Sequence, residues 1–396
     1  MTPEQLLKEA DRCVKCGLCL PHCPTYLVLE NEADSPRGRI SLIQALAKGE
    51  LTKDQSLESH LSRCLSCRAC ESACPSGVKY GELIDGGRAL INKGHHGRPF
   101  WRRLFDLLSD RNRVARWSSL HNLMYRLGLI RLASLVPSER FRRLIAFGRY
   151  LPGKGRTLVG LYASKQPTGR LVQLFTGCVG SQTEQTLIKQ ALSLLTRLGY
   201  AVEIPQSQVC CGALHRHNGY PDHADRLLEA NRRQTEISRA DCLITLATAC
   251  QLELDEHLKT KLPIKDLTGF LLDLPQEKLP KLLPLKKKVI VHSPCSSHND
   301  RSRDLLQRIP SLEITNFPED GICCGAAGSY LLTQPKLSAT LGERKTAYLK
   351  ASQADILITS NTGCALQFRQ LIRQMDLEME VMHPVELFAQ QLETSA

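Results

Sequence analysis

The chain has 396 residues, 17 cysteines, a formal charge of +12 and only 5% aromatic residues. A hydrophobic fraction of 42% and a charged fraction of 23% suit roughly two to three domains and exclude a disordered chain. No stretch reaches the roughly 18 consecutive apolar residues that span a bilayer, and the cysteines are too thinly spread for a small disulfide scaffold.

Met1 to Cys13 carries Glu4, Lys8, Glu9 and Asp11 and no apolar core. That excludes a secretory leader and predicts a cytoplasmic, reducing setting for the thiols. Eight of them form two matched runs. Cys13-x-x-Cys16-x-x-Cys19-x-x-x-Cys23-Pro24 is followed, 51 residues on, by Cys64-x-x-Cys67-x-x-Cys70-x-x-x-Cys74-Pro75. This is the bacterial ferredoxin spacing written twice. Three closely spaced thiolates wrap one cubane, and the fourth, held off by three residues and a proline, reaches the other. The spacing assigns Cys13, Cys16, Cys19 and Cys74 to one [4Fe-4S] cluster, and Cys64, Cys67, Cys70 and Cys23 to a second. A pair of zinc knuckles is the rival, but zinc favours separated ligand pairs and does not require the repeated Cys-Pro tail. Arg37 and Arg39 either offset cluster charge or simply mark a loop-to-helix entry. Together these features predict a helical dicluster domain over 1–95.

Residues 96–168 read as a basic helical connector. The stretch 91–170 holds 17 Lys and Arg against Asp106, Asp110 and Glu139, a net of +14, and the rest of the chain nets −2. Trp101 and Trp117 lie there, beside Leu104, Leu107 and Leu108 at helical spacing. Three readings stand: contact with an anionic membrane surface, peripherally on the cytoplasmic face of the inner membrane; a docking surface for an acidic partner subunit; or a solvated linker packing its apolar faces on the flanking domains. No nucleic-acid-binding motif accompanies the charge, so nucleic acid is not an expected partner.

The remaining cysteines reveal an internal duplication. Cys210-Cys211-Gly212 and Cys323-Cys324-Gly325 each have a lone cysteine upstream, Cys178 or Cys295, and one downstream, Cys250 or Cys364. Cys178 to Cys211 is 33 residues and Cys295 to Cys324 is 29, whereas the downstream intervals are 39 and 40. Ala240-Asp-Cys-Leu-Ile-Thr245 matches Ala354-Asp-Ile-Leu-Ile-Thr359, which aligns Cys242 with Ile356 and makes it a core residue rather than a ligand. The first repeat is predicted over 169–275 and the second over 286–396. Each reads as apolar strand, cysteine, then helix, the pattern of an open α/β sheet with sites at its strand C-terminal ends. Leu187, Ile188, Ala191, Leu194, Leu195 and Leu198 mark the first helix, ended by Gly199. Its counterpart around Leu305, Leu306 and Ile309, stopped by Pro310, is expected to be about one turn shorter. The glycines after each cysteine pair are expected to let backbone approach an inorganic core. A dithiol redox pair is the alternative; whether each repeat holds its own cluster or the two share one stays open, with four ligands per repeat favouring one each.

Two ferredoxin runs followed by paired Cys-Cys-Gly repeats resemble the iron–sulfur subunit of bacterial glycolate oxidase. The likeness extends through Cys23-Pro-Thr-Tyr26, Asp34-Ser-Pro-Arg-Gly-Arg39, Arg63-Cys-Leu-Ser-Cys67, Cys74-Pro-Ser-Gly77, Cys211-Gly-Ala-Leu-His215 and Cys324-Gly-Ala-Ala-Gly-Ser-Tyr330. It implies an electron-transfer subunit of a glycolate dehydrogenase, working with FAD-containing oxidase subunits and a quinone or other acceptor. Substrate chemistry then belongs to a partner chain, and no catalytic residue is expected on this one. The implied cofactors are two [4Fe-4S] clusters, with further clusters in the repeats.

More distant resemblances are to subunits of lactate or anaerobic glycerol-3-phosphate dehydrogenases and to heterodisulfide reductase. In the last type the final cysteine belongs to a Cys-x-x-Cys pair, giving five ligands; here positions 253 and 367 are Glu253 and Gln367. That departure argues against disulfide cleavage. His215 and His217 read as solvated loop residues, and His292 as a residue behind the ligands of the second repeat. No glycine-rich dinucleotide fingerprint or P-loop is present, so no flavin is expected on this chain.

Overall fold

The computed structural model describes residues 1–93, 99–129, 157–164, 166–297, 299–318 and 323–393. Its N-terminal part is helical: α1 Pro3–Ala10, α2 Pro24–Leu29, α3 Pro36–Lys48, α4 Gln55–Ser62, α5 Ala69–Ser72 and α6 Tyr80–Asn92. Local signals set the boundaries. Thr2 and Gln5 form a capping box on α1, Ser35 accepts the Gly38 N–H to start α3, and Gly49 closes α3 in the left-handed region. Leu6, Ile40, Ile43, Leu57, Leu61, Leu83 and Ile84 from four of these helices meet in one core, with Cys64 and Cys70 at its edge.

The connector supplies α7 Pro99–Ser109 and α8 Arg111–Arg126, separated by Asp110, whose carboxylate accepts the N–H groups of Asn112 and Arg113. The apolar face of α7 is buried: Trp101, Leu104, Phe105 and Leu108 are under 10% exposed, against Leu332 and the partly buried Val179, Leu214 and Tyr220. Lipid contact through Trp101, Leu104 and Leu108 is therefore excluded, because the two cysteine-rich repeats already cover that face. Residues 130–156, the middle of the basic stretch, lie outside the described residues.

Two parallel sheets follow. The first contains β1 Gly160–Tyr162, β2 Leu171–Phe175, β3 Ala201–Ile204, β4 Cys242–Thr245 and β5 Ile264–Asp266, in the order β1-β3-β2-β4-β5. The second contains β6 Lys288–His292, β7 Glu313–Asn316, β8 Ile356–Thr359 and β9 Glu380–Met382, in the order β7-β6-β8-β9. Apart from β1, which runs antiparallel beside β3 and lies ahead of residue 169, the two orders are the same. So are the registers: Val172 pairs with Cys242 and Val289 with Ile356. The fold is thus a helical dicluster domain joined to a duplicated α/β module.

The sheets share one core, in which Val172, Leu174 and Cys242 meet Val289, Val291 and Ile356. Helix Gln185–Arg197 of the first repeat packs on Pro384–Gln390 of the second, and Leu267–Leu272 packs on Ser302–Leu306. A helix of each repeat therefore packs on the last helix of the other. Burying each large aliphatic side chain there contributes about 1.5–3 kcal/mol, so neither repeat is complete alone. The shortening between repeats exceeds one turn: 13 residues of helix in the first become five in the second.

Candidate iron–sulfur sites

The two ferredoxin-type loops have matching backbones. Lys15 and Gly17 in the first, and Ser66 and Arg68 in the second, all take positive φ, from 51° to 86°. Left-handed residues two apart are a backbone pattern compatible with an anion-binding nest. For Ser66 and Arg68 the conformation costs roughly 1–2 kcal/mol each, a cost that shaping a cluster loop accounts for. Cys13, Cys16, Cys19 and Cys74 line one cavity of about 30 Å³, together with Arg37. Cys23, Cys64, Cys67 and Cys70 line another of about 10 Å³. Pro36, Cys70 and Tyr80 belong to both walls, so the two sites adjoin. Each quartet is all sulfur, a donor set that fits iron–sulfur chemistry.

Both arginines lie at these sites. Arg37 donates to the Lys15 carbonyl and chelates Glu32. Arg39 is fully buried, donating to the His60 carbonyl at 2.8 Å, Thr25 Oγ1 at 3.0 Å and Asp34 Oδ1 at 3.1 Å. Thr25 in turn lies 3.3 Å from Cys23 Sγ. Tyr80 completes the shell, with its hydroxyl 3.6 Å from Cys64 Sγ.

In the repeats, each upstream cysteine follows its strand by three residues, and Cys250 and Cys364 stand in the first turns of Thr248–His257 and Thr362–Gln374. The exposed N–H groups and dipole of a helix start favour an anion there. Cys178 Sγ lies 3.4 Å from Cys210 Sγ, and Cys211 bonds both Cys210 and Cys250. The second quartet closes in the same way, Cys295 to Cys323 to Cys324 to Cys364. Hydrogen bonds from Cys178 and Cys211 hold the Cys210 thiol well below its usual range. The Cys178 thiol is pushed well up by that same bond and by burial. Metal binding to four crowded thiols of this kind releases their protons. Cys242 stands apart in the shared core, where burial pushes its thiol up to about 11.

The glycines after the cysteine pairs have a different use from the one expected. Gly212 and Gly325 take φ of 103° and 86°, and a Cβ would come within 3.1 Å of the Ala224 carbonyl oxygen or 2.7 Å of that of Ser338. Glycine is required because the following long helix, Pro221–Ile237 or Pro335–Ser352, crosses there. The positions of a fifth thiolate are also committed elsewhere. Glu253 pairs with Arg216 at 2.6 Å, and burial raises its carboxyl to about 7 despite that partner. Gln367 donates to the carbonyls of Cys324 and Ser338.

A cavity of about 240 Å³ joins the parts. Its walls include Cys64 and Cys67 of the dicluster domain, the quartet Cys178, Cys210, Cys211 and Cys250, and Cys295 of the second repeat. Burial, with the charge of the neighbouring Cys295, pushes the Cys67 thiol well up. Arg88 ties this junction, donating to the carbonyls of Leu61 and Cys64, to Ser66 Oγ and to the His217 carbonyl. Arg68 pairs with Glu256, and His217 with Asp85 at 3.0 Å.

The histidines are not solvated as expected. His215 is 1% exposed and bonds Ser109 and Asp106, and burial lowers its imidazole. Burial also opposes charge on His217, but Asp85 reverses that and raises it. His292 is buried against Phe317 and Phe368, holds Thr359 Oγ1 at 3.1 Å, and has a ring nitrogen within 4.8 Å of Cys324 and Cys364 Sγ. Phe175 occupies the equivalent place in the first repeat, three residues before Cys178. Tyr80, Arg88, Asp106 and His223 carry no local motif. Helical periodicity marks Tyr80 and Arg88 only as faces of α6.

Comparison with known proteins agrees with this architecture. A family profile described as a 4Fe-4S dicluster domain matches residues 9–78, and one described as a cysteine-rich domain matches 172–255 and 289–369. A Bacillus subtilis protein named probable glycolate oxidase iron–sulfur subunit is 32% identical, over 94% of this chain and 91% of that one. The Escherichia coli glycolate oxidase iron–sulfur subunit is 28% identical over 97% and 96%. Lactate utilization protein A of Bacillus licheniformis is 27% identical over 54% of this chain and 98% of its own. With the duplicated cysteine framework and near full-length likeness at 32% identity, this chain belongs to the family of glycolate oxidase iron–sulfur subunits.

Proposed function

We propose that this chain is the electron-transfer subunit of an acceptor-linked glycolate dehydrogenase, taking electrons from a partner flavoprotein and passing them to a quinone-type acceptor. The observation that carries the reading is the series of adjoining sulfur-lined cavities, each sharing wall residues with the next, from Cys13 through Cys67 to the two repeats. Cys13, Cys16, Cys19 and Cys74 would hold one [4Fe-4S] cluster, and Cys23, Cys64, Cys67 and Cys70 the second. Cys178, Cys210, Cys211 and Cys250, and Cys295, Cys323, Cys324 and Cys364, would each hold one more. When bound, such clusters supply one-electron redox chemistry at potentials set by charge, hydrogen bonds and exposure. The protein's own part is to bury Cys23, Cys64 and Cys70 and to place Arg37, Arg39 and Tyr80 beside the two quartets.

The substrate-oxidising groups are assigned to another chain. Among the described residues, no helix is long and apolar enough to cross a membrane. The far end of α8 supports peripheral contact with anionic lipid, since Leu120, Leu123 and Tyr125 are exposed beside Arg116 and Arg126. Affinity purification of the tagged chain from its native host, with flavin, iron and donor assays, tests the reading. A flavoprotein that co-purifies and reduces this chain with glycolate supports it. Recovery without any flavoprotein, or reduction by lactate or glycerol 3-phosphate alone, overturns the glycolate assignment.

A further inference from the structure

Away from the cysteines, three donors from two parts of the chain converge. Asp106 on α7 places Oδ1 3.0 Å from His215 Nε2 and 3.2 Å from His223 Nδ1, and all three ligand atoms lie within 4.8 Å of one another. A tetrahedral zinc site with bonds of about 2.0–2.1 Å has ligand–ligand edges of about 3.3 Å. The two Asp106 contacts match that edge, and the two histidine nitrogens lie within 4.8 Å of each other.

Proton accounting around His215 points the same way. Ser109 is buried and has one hydroxyl proton. Its Oγ lies 2.7 Å from the Phe105 carbonyl oxygen and 3.2 Å from His215 Nδ1. A carbonyl only accepts, so the shorter contact takes the proton. Ser109 Oγ must then accept from His215 Nδ1–H. That tautomer leaves the Nε2 lone pair facing the Asp106 carboxylate, which repels unless a cation stands between them. Burial and the near-parallel His223 ring, 5.3 Å away, oppose an imidazolium at His215, against the favourable pull of the Asp106 carboxylate and of Cys210. A metal ion satisfies all three donors, and Nδ1–H donated to an oxygen is the usual support of a metal-bound histidine.

We propose that Asp106, His215 and His223 bind a divalent ion of the zinc type that clamps α7 onto the first cysteine-rich repeat. Asp106 and His223 are partly exposed, so solvent supplies the remaining ligand and the route of entry. The clamp adjoins the first cysteine quartet: the Cys210 N–H donates to the Ser109 carbonyl, and His215 is four residues beyond Cys211.

The test uses the full chain, purified anaerobically, saturated with zinc, desalted and analysed for zinc and iron. Wild type is compared with Asp106→Asn and His223→Gln; zinc held adventitiously by cysteine is common to all three. The site predicts one further equivalent of zinc in wild type than in either variant at equal iron. It also predicts that added zinc raises the thermal midpoint of wild type by more than that of either variant. Equal zinc in all three chains, or a wild-type midpoint indifferent to zinc, overturns it. If Asp106→Asn also loses iron, His223→Gln, at the more exposed edge, decides the matter on the same two readouts.

Discussion

Arg39 and Asp34 form a fully buried ion pair beneath the dicluster domain, and Asp34 also receives His60 and Arg63. Removing Arg39 leaves the buried Asp34 with only Arg63 and His60 against its charge. Arg39→Met is therefore expected to cost at most about 3–5 kcal/mol, read as a lowered denaturation midpoint and loss of iron from the N-terminal domain. A midpoint within experimental error of wild type would show that the pair is not needed there. His292 distinguishes the second repeat from the first, where Phe175 takes its place. His292→Phe should leave iron content unchanged and move the midpoint potential of a centre in the second repeat downward, because a nearby donor is removed. An unmoved potential with iron retained would take His292 out of the account.

At the scale of elements, Gly325 is the strictest position in the second repeat. Gly325→Ala meets both a left-handed φ and the Ser338 carbonyl, and is expected to destabilise by about 1–3 kcal/mol, more than Gly212→Ala, whose nearest contact is looser. Equal thermal midpoints for the two variants would refute the crossing-helix explanation. The duplication was legible in the sequence because each repeat carries its own strand text: Asp-Cys-Leu-Ile-Thr and Asp-Ile-Leu-Ile-Thr become β4 and β8 in the same register. The seating of α7 was not legible. Trp101, Leu104 and Leu108 announce an apolar face, but periodicity does not say whether lipid or protein covers it. The Asp106, His215 and His223 cluster was hidden for a related reason, since its members come from two elements and share no spacing rule.

At the scale of the molecule, the dicluster domain is held to the repeats by charge as well as packing. The His217–Asp85 pair has a pH signature. The raised His217 contributes stability fully below about pH 6.5, its unfolded value, and loses it as pH rises through the folded value; the lowered Asp85 contributes above about pH 4. Thermal stability should therefore decline as pH rises above about 6.5 and through the raised folded value, and His217→Gln should flatten that decline. A slope unchanged in the variant would assign the dependence elsewhere. If electrons from a reduced partner pass through this chain, freeze-quench EPR of the anaerobically purified complex, mixed with glycolate, should show reduced [4Fe-4S] signals from this chain within one turnover and before the acceptor is reduced. Acceptor reduction at the full rate while those signals stay oxidised would contradict that route.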